Sequence, residues 1–260
     1  MRKIAIGLQK GGVGKTITSL CLAGALTIMN RKVLLIDMDP QANSSTSLGV
    51  DDADTEMPSV HDLLVNPSVK ASSIILQTGY GIDLIPATIT MAVTEKHLAS
   101  ATSHKKLANK LDELKRQART NPELNYDYII LDCPPSLGAL TLNALAAADR
   151  VIAPVDCGHF AAQKGLRDFV VTMEEIRQEL NPSLQLFGVL LTHYGSQKVA
   201  REVATYVKEQ GYPVFDTKIS KRTILGEVPV KGPIQAYAPS SEAAQEYAAL
   251  AQEVENHDWQ

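Results

Sequence analysis

The sequence predicts an α/β fold over residues 1–260: a single domain on one doubly wound, mostly parallel sheet with helices on both faces. Three observations predict it. Apolar runs of strand length recur at Ile4–Leu8, Val33–Met38, Ile82–Ile85, Tyr128–Leu131, Arg150–Val155 and Leu186–Thr192. Segments of helical spacing lie between several of them, and strands that alternate with helices pair in parallel under covering layers. A glycine-rich stretch sits directly after the first run and before a helix, where an open parallel sheet presents its ligand crevice.

Hydrophobic residues make up 45% and charged residues 21% of the 260, enough apolar material for one sizeable core. A formal net charge of −4 excludes a chain that is basic all over but leaves room for a local basic patch. Cys21, Cys133 and Cys157 are too few and too scattered for a disulfide framework, and no C-x-x-C pair suggests zinc or an iron–sulfur cluster. A reducing, cytoplasmic setting is expected.

Taken in order, Ile4–Leu8 is cut off by Lys10 and is too short for the apolar core of a secretion signal. Leu20–Met29 contains Gly24 and Thr27 and reads as a buried helix rather than a membrane span. Asp51–Pro58 and Arg119–Asn125 lack periodicity and read as surface loops. Ser103–Arg119 is an amphipathic helix with Leu107, Leu111 and Leu114 inward and a basic outer face. Gly165–Leu180 places Leu166, Phe169, Val170, Met173 and Ile176 on one side. Ser241–Val254 repeats the pattern with Ala243, Tyr247, Leu250, Ala251 and Val254, a docking helix that closes the fold.

The chemistry begins with Lys10-Gly11-Gly12-Val13-Gly14-Lys15-Thr16 between the first strand and the first helix. Glycines let backbone N–H groups turn toward phosphate oxygens, the helix start adds its positive dipole end, and Lys15 and Thr16 are placed to reach phosphate and Mg²⁺. The spacing G-x-x-x-x-G-K-[ST] is not met, because Gln9 stands five before Gly14, and an additional lysine, Lys10, sits at the loop's mouth. A second apolar strand ends in Asp37-Met38-Asp39-Pro40-Gln41, and a third in Asp132-Cys133-Pro134-Pro135-Ser136. Acids at the carboxyl end of a parallel strand lie beside the crevice. Cys133 reads as a small buried thiol.

With K-G-G-x-G-K-T, D-x-D-P-Q and the Asp132 strand in place, the chain resembles the deviant Walker A, or ParA/MinD, ATPases, a branch of the P-loop NTPase fold. The resemblance runs over nearly the whole chain, through Pro154-Val155, Gly165-Leu166 and the late run from Ile219 to Glu227-Val228-Pro229. It implies that Lys10 reaches across a dimer interface to the partner's nucleotide. It implies that residues 10–17, Lys10, Gly11, Gly12, Val13, Gly14, Lys15, Thr16 and Ile17, hold ATP, and that Asp39 positions or activates the attacking water. Asp37, Asp132 and Thr16 would serve the Mg²⁺ shell, and the Pro-Pro turn would sense the γ-phosphate. Lys10, Lys15 and Asp39 are thus the catalytic candidates. In the late region, Ser220-Lys221-Arg222 stands where family members commonly show P-R-N, which places Ser220 and Arg222 at the adenine, with Arg222 able to stack on the base instead.

The resemblance further implies an ATP-dependent homodimer with slow hydrolysis that binds DNA without sequence preference. It implies a ParB-like or adaptor protein that stimulates turnover, and a nucleoid-associated location. From His193 to Lys231, seven Lys and Arg against four Asp and Glu leave +3 in an otherwise acidic chain, with Lys198, Arg201, Lys218, Lys221 and Arg222 as the DNA-binding candidates. The acidic end from Glu253 to Gln260 would be repelled by anionic lipid, so no membrane partner is expected. No N-K-x-D for guanine is present. A phosphate loop starting almost at residue one matches the short form, without a DNA-reading domain or autoregulation. The alternative is a metabolic ATP-dependent ligase or kinase on the same scaffold; a filament-forming scaffold is a third reading. The cargo stays open between a plasmid, a chromosome origin and a protein assembly such as a carboxysome.

Overall fold

The computed structural model describes residues 1–50, 56–98, 100–158 and 161–259. Among them run eight strands, β1 (Arg2–Ile6), β2 (Val33–Asp37), β3 (Leu76–Gln77), β4 (Ile82–Ile85), β5 (Tyr128–Asp132), β6 (Arg150–Asp156), β7 (Gln185–Tyr194) and β8 (Val214–Ser220). The α-helices are α1 (Lys15–Ile28), α2 (Asn43–Ser47), α3 (Val60–Val65), α4 (Met91–His97), α5 (Lys106–Gln117), α6 (Ala139–Ala147), α7 (Ala161–Glu179), α8 (Lys198–Glu209), α9 (Val228–Lys231), α10 (Ile234–Tyr237) and α11 (Glu242–Asn256).

The strands form one sheet in the order β3-β4-β2-β5-β1-β6-β7-β8, parallel throughout except for β3 against β4. β1 lies between β5 and β6, so the chain winds outward from it in both directions. The ligand crevice of such a sheet opens at the carboxyl ends beside that reversal. Alternation along each central strand feeds two cores. Ile4, Ile6, Val33, Leu35, Tyr128 and Ile130 face the layer of α1 and α11, whereas Ala5, Leu34, Ile36, Ile129 and Leu131 face that of α5, α6 and α7. Side chains two apart share a face because the pleat repeats every second residue.

All six expected strands are present, within a few residues of their expected ends. The helices expected near 103–119, 165–180 and 241–254 are α5, α7 and α11, with Leu107, Leu111, Leu114, Leu166, Phe169, Tyr247 and Val254 buried as their spacing requires. α11 starts where Ser241 Oγ accepts the Ala244 N–H at 3.2 Å, an N-cap that satisfies one of the helix's orphan donors. Of the loop expected at Asp51–Pro58, residues 51–55 lie outside the described residues. A short 3₁₀ turn, Pro122–Leu124, interrupts the other expected loop. No described helix is long and apolar enough to cross a membrane.

Among the elements with no counterpart in the apolar pattern are β3, β8 and α8. β3 is two residues long, and β8 is an edge strand whose Asp216 and Lys218 break the apolar run. Edge strands tolerate such charges because one side meets water. The basic segment thus spans α8 and β8, with Lys221 and Arg222 directly after β8.

Candidate functional site

The phosphate-type loop runs from the end of β1 into α1. Gly12 and Gly14 take left-handed backbone at φ 73° and 89°, conformations that L side chains adopt at a cost. A Cβ at Gly11 or Gly12 would meet nothing within 4 Å, so the loop leaves an open concavity. Gly14 is the N-cap of α1, and the first turn carries no acid to offset the helix's positive end. Val13 is fully buried, and its carbonyl accepts Thr192 Oγ1 at 2.9 Å, which pins the loop to the end of β7. Val13 can therefore serve a ligand only through its backbone.

Lys15 is 7% exposed, and its Nζ donates to the Lys10 carbonyl at 2.6 Å. Burial lowers its pKa, while Asp132 and Asp39 oppose the drop. A partly desolvated ammonium folded back onto a loop carbonyl is poised to exchange that contact for a phosphate oxygen. Lys10 is half-buried, and its ammonium makes no hydrogen bond or ion pair among the described residues. Gly11, Gly12, Gly14, Lys15 and Thr16 line a cleft of about 310 Å³ together with Ile17, Asp39, Gln41, Asn43, Pro135 and His193.

Strand pairing sets Asp37 directly opposite Asp132, joining two motifs distant in the chain. Both carboxylates are fully buried, and burial is the main cause that pushes both upward from the usual carboxylate range. Asp37 is further raised by its neighbour Asp132, and Asp132 is held down by the hydroxyls of Ser44, Ser19 and Thr16. Ser44 Oγ donates to Asp132 at 2.7 Å and Ser19 Oγ at 2.9 Å. Two buried acids side by side, disfavoured as anions and next to the Thr16 hydroxyl, suit a divalent cation that also takes phosphate oxygens and water. Among the described residues no group of three or more His, Cys, Asp or Glu forms a metal cage.

Asp37, like Asp132, does not line the cleft. Its Oδ1 accepts the Asp39 N–H at 3.1 Å, and its Oδ2 accepts the Ser45 N–H at 2.9 Å and Ser45 Oγ at 2.7 Å. Through these bonds Asp37 braces the loop that carries Asp39. Ser45 Oγ also accepts the Ala87 N–H at 2.9 Å. Ser45→Ala is expected to lower stability by about 1–3 kcal/mol, because it leaves a buried carboxylate and a buried amide each short of a partner; urea denaturation measures it. Asp39 is on the cleft, 8% exposed, with Oδ1 accepting the Gln41 N–H at 3.0 Å.

A second cleft, about 230 Å³, adjoins the first and is walled by Ile219, Leu225 and Tyr247, with Lys221, Arg222 and Thr223 at its edge. Arg222 lines it but is committed to Glu242 and to Glu246, the latter at 3.3 Å. Ser220 is turned away: its Oγ donates to Glu246 Oε1 at 2.6 Å and its N–H to Oε2 at 3.0 Å. Of the cations singled out for DNA, Lys198 pairs with Glu202 at 3.4 Å, Arg201 donates to the Ser196 carbonyl, and Lys218 lies 4.5 Å from the Tyr194 ring centroid. Lys221 is exposed, and its N–H donates to the Tyr194 carbonyl at 3.0 Å. The first turn of α8 and the end of β8 thus gather at the carboxyl rim of the sheet, beside the clefts, but Arg222 brings two carboxylates with it. Motif reading missed Asn43, the Ser44–Ser45 pair, Thr192 and His193, although a polar residue at the carboxyl end of β7 is itself a signal.

The AAA domain family model matches residues 1–186. The sporulation initiation inhibitor protein Soj of Bacillus subtilis is 41% identical over 258 residues, covering 96% of this chain and 97% of its own. The chromosome partitioning protein ParA of Myxococcus xanthus is 37% identical over 264 residues, with 99% and 89% covered. Among solved structures, cobyrinic acid a,c-diamide synthase of Mycobacterium smegmatis, with bound ATP analog and magnesium, superposes with a TM-score of 0.83 at 34% identity over 99% of this chain and 95% of that one. With the loop, the paired acids and the sheet order all in place, the chain belongs to the AAA domain family, in its ParA/MinD group of P-loop ATPases.

Proposed function

We propose that the chain is an ATP-dependent dimerising switch: it binds ATP with Mg²⁺, pairs with a second copy around the nucleotide, and in that state holds DNA without sequence preference to position or segregate a cargo. The observation that carries this reading is the loop's second lysine: Lys15 lies inside the cleft, whereas Lys10, outside its lining, has no hydrogen bond or ion pair among the described residues. A cation beside the cradle but not part of its wall has use when a partner's phosphates approach. When bound, Mg²⁺ neutralises phosphate charge; Thr16 and Asp132 are the residues that would hold it, Asp132 through water. Lys15 binds phosphate, the 11–14 backbone orients it, and Asp39 takes the water's proton. Turnover is slow and is raised by a ParB-like or adaptor protein.

DNA binding distinguishes this switch from its alternative. With ATP, anisotropy on duplex DNA should give a log–log salt slope near −5 for a dimer using about three phosphate contacts per protomer, at roughly −0.9 per contact. Lys198→Glu with Arg201→Glu should remove retention and leave nucleotide binding intact, since neither residue lines the phosphate or base cleft. Equal affinity with ADP and ATP, or no salt dependence, would mean the switch reading is wrong. The name of the M. smegmatis neighbour supports a second reading, a small-acceptor amidating enzyme. That reading requires turnover to rise with a small acid rather than with DNA or a partner protein.

A further inference from the structure

We propose that His193 recognises the sugar of the bound nucleotide, its imidazole accepting a hydrogen bond from a ribose hydroxyl so that ribonucleotides are preferred over their deoxy forms. This deepens the nucleotide-site reading above and rests on it. The phosphate cleft and the apolar-walled cleft share three lining residues, Gly14, Ile17 and His193. A nucleotide with its phosphates in the first and its base in the second must pass its sugar along that shared wall. Gly14 has no side chain and Ile17 is apolar, so His193 is the hydrogen-bonding side chain at the crossing.

The ring is held in place. His193 Nδ1 lies 3.2 Å from Asp156 Oδ1, and that oxygen also accepts the Gly158 N–H at 2.7 Å. Asp156 is 12% exposed at its side chain, and His193 is 33% exposed. With Nδ1–H directed at the carboxylate, Nε2 is left as the acceptor, and the tautomer is fixed by the partner on the far side. The backbone adds a separate observation: His193 takes φ 49°, a left-handed conformation uncommon outside glycine and tolerated by His, Asn and Asp more than by other side chains. It is clamped there by the Cys157 N–H on the Thr192 carbonyl at 2.9 Å and by the Lys221 N–H on the Tyr194 carbonyl at 3.0 Å. Backbone kept in such a region by its surroundings concentrates where a side chain must be aimed.

The test compares ATP, 2′-deoxy-ATP and 3′-deoxy-ATP by titration calorimetry with Mg²⁺, for the full chain and for His193→Asn and His193→Gly. Both replacements accept left-handed backbone, and agreement between them removes strain as the cause. The unaltered protein should bind ATP roughly 3- to 10-fold tighter than one of the deoxy analogues, the scale of one net hydrogen bond. In both variants that ratio should fall to about one, with affinity for the deoxy analogue unchanged. Asp156→Ala should lower the ratio likewise, and Asp156→Asn, which keeps an acceptor for Nδ1–H, should restore it. Equal affinity of the unaltered protein for all three nucleotides would overturn the proposal, as would variants that weaken all three alike, the mark of a phosphate or base contact. If the folded protein bound none of them, the nucleotide-site reading itself would fall and this proposal with it.

Discussion

Lys15→Ala is expected to remove measurable ATP binding while leaving the fold intact. Among the described residues Lys15 is the one lysine that lines the cleft, already desolvated and made less basic by burial. Deleting one partner of a buried charge contact costs about 2–5 kcal/mol, a factor of roughly 30 to several thousand in affinity. The protein itself should not suffer, because the variant relieves the burial of an ammonium and frees only a loop carbonyl, that of Lys10, beside open solvent. Calorimetry against ATP with thermal unfolding as a control measures both. Lys10→Ala should behave in the opposite way, sparing ATP binding and weakening ATP-dependent self-association in sedimentation. Unchanged dimerisation in that variant would remove the cross-dimer role.

Asp39→Asn is expected to keep ATP and Mg²⁺ but to lose hydrolysis by roughly 10²- to 10⁴-fold, the usual contribution of a positioned general base. Asparagine isolates the chemistry, since its carbonyl can still accept the Gln41 N–H that Asp39 caps. The dimer should then accumulate, because the step that would release it no longer occurs. Turnover of the unaltered protein should itself lie far below the common median of about 10 s⁻¹. A phosphate-release assay on both proteins decides the point: equal rates would assign the water to another group. Asp37 and Asp132 are poor candidates for that group, as their oxygens are already taken by Ser44, Ser45, Ser19 and backbone N–H groups.

The sequence by itself determined whatever is local. The alternation of apolar runs with helical spacing defined the parallel sheet and its two covering layers, because pleat and helix periods are properties of consecutive residues. The order Lys10 to Thr16 defined the cradle for the same reason, as left-handed glycines and a helix start need only neighbours in the chain. Tertiary structure decided what depends on register and on approach. β2 beside β5 set Asp37 opposite Asp132, and Ser45 from the following helix came to hold the Asp37 carboxylate. β7 brought His193 and Thr192 to a loop far from them in sequence, and α11 brought Glu242 and Glu246 to Arg222 and Ser220, which keeps Arg222 on the cleft but paired and turns Ser220 to Glu246. A carboxylate's role is set by which donors and charges surround it, and those arrive from strands and helices whose pairing no local spacing encodes.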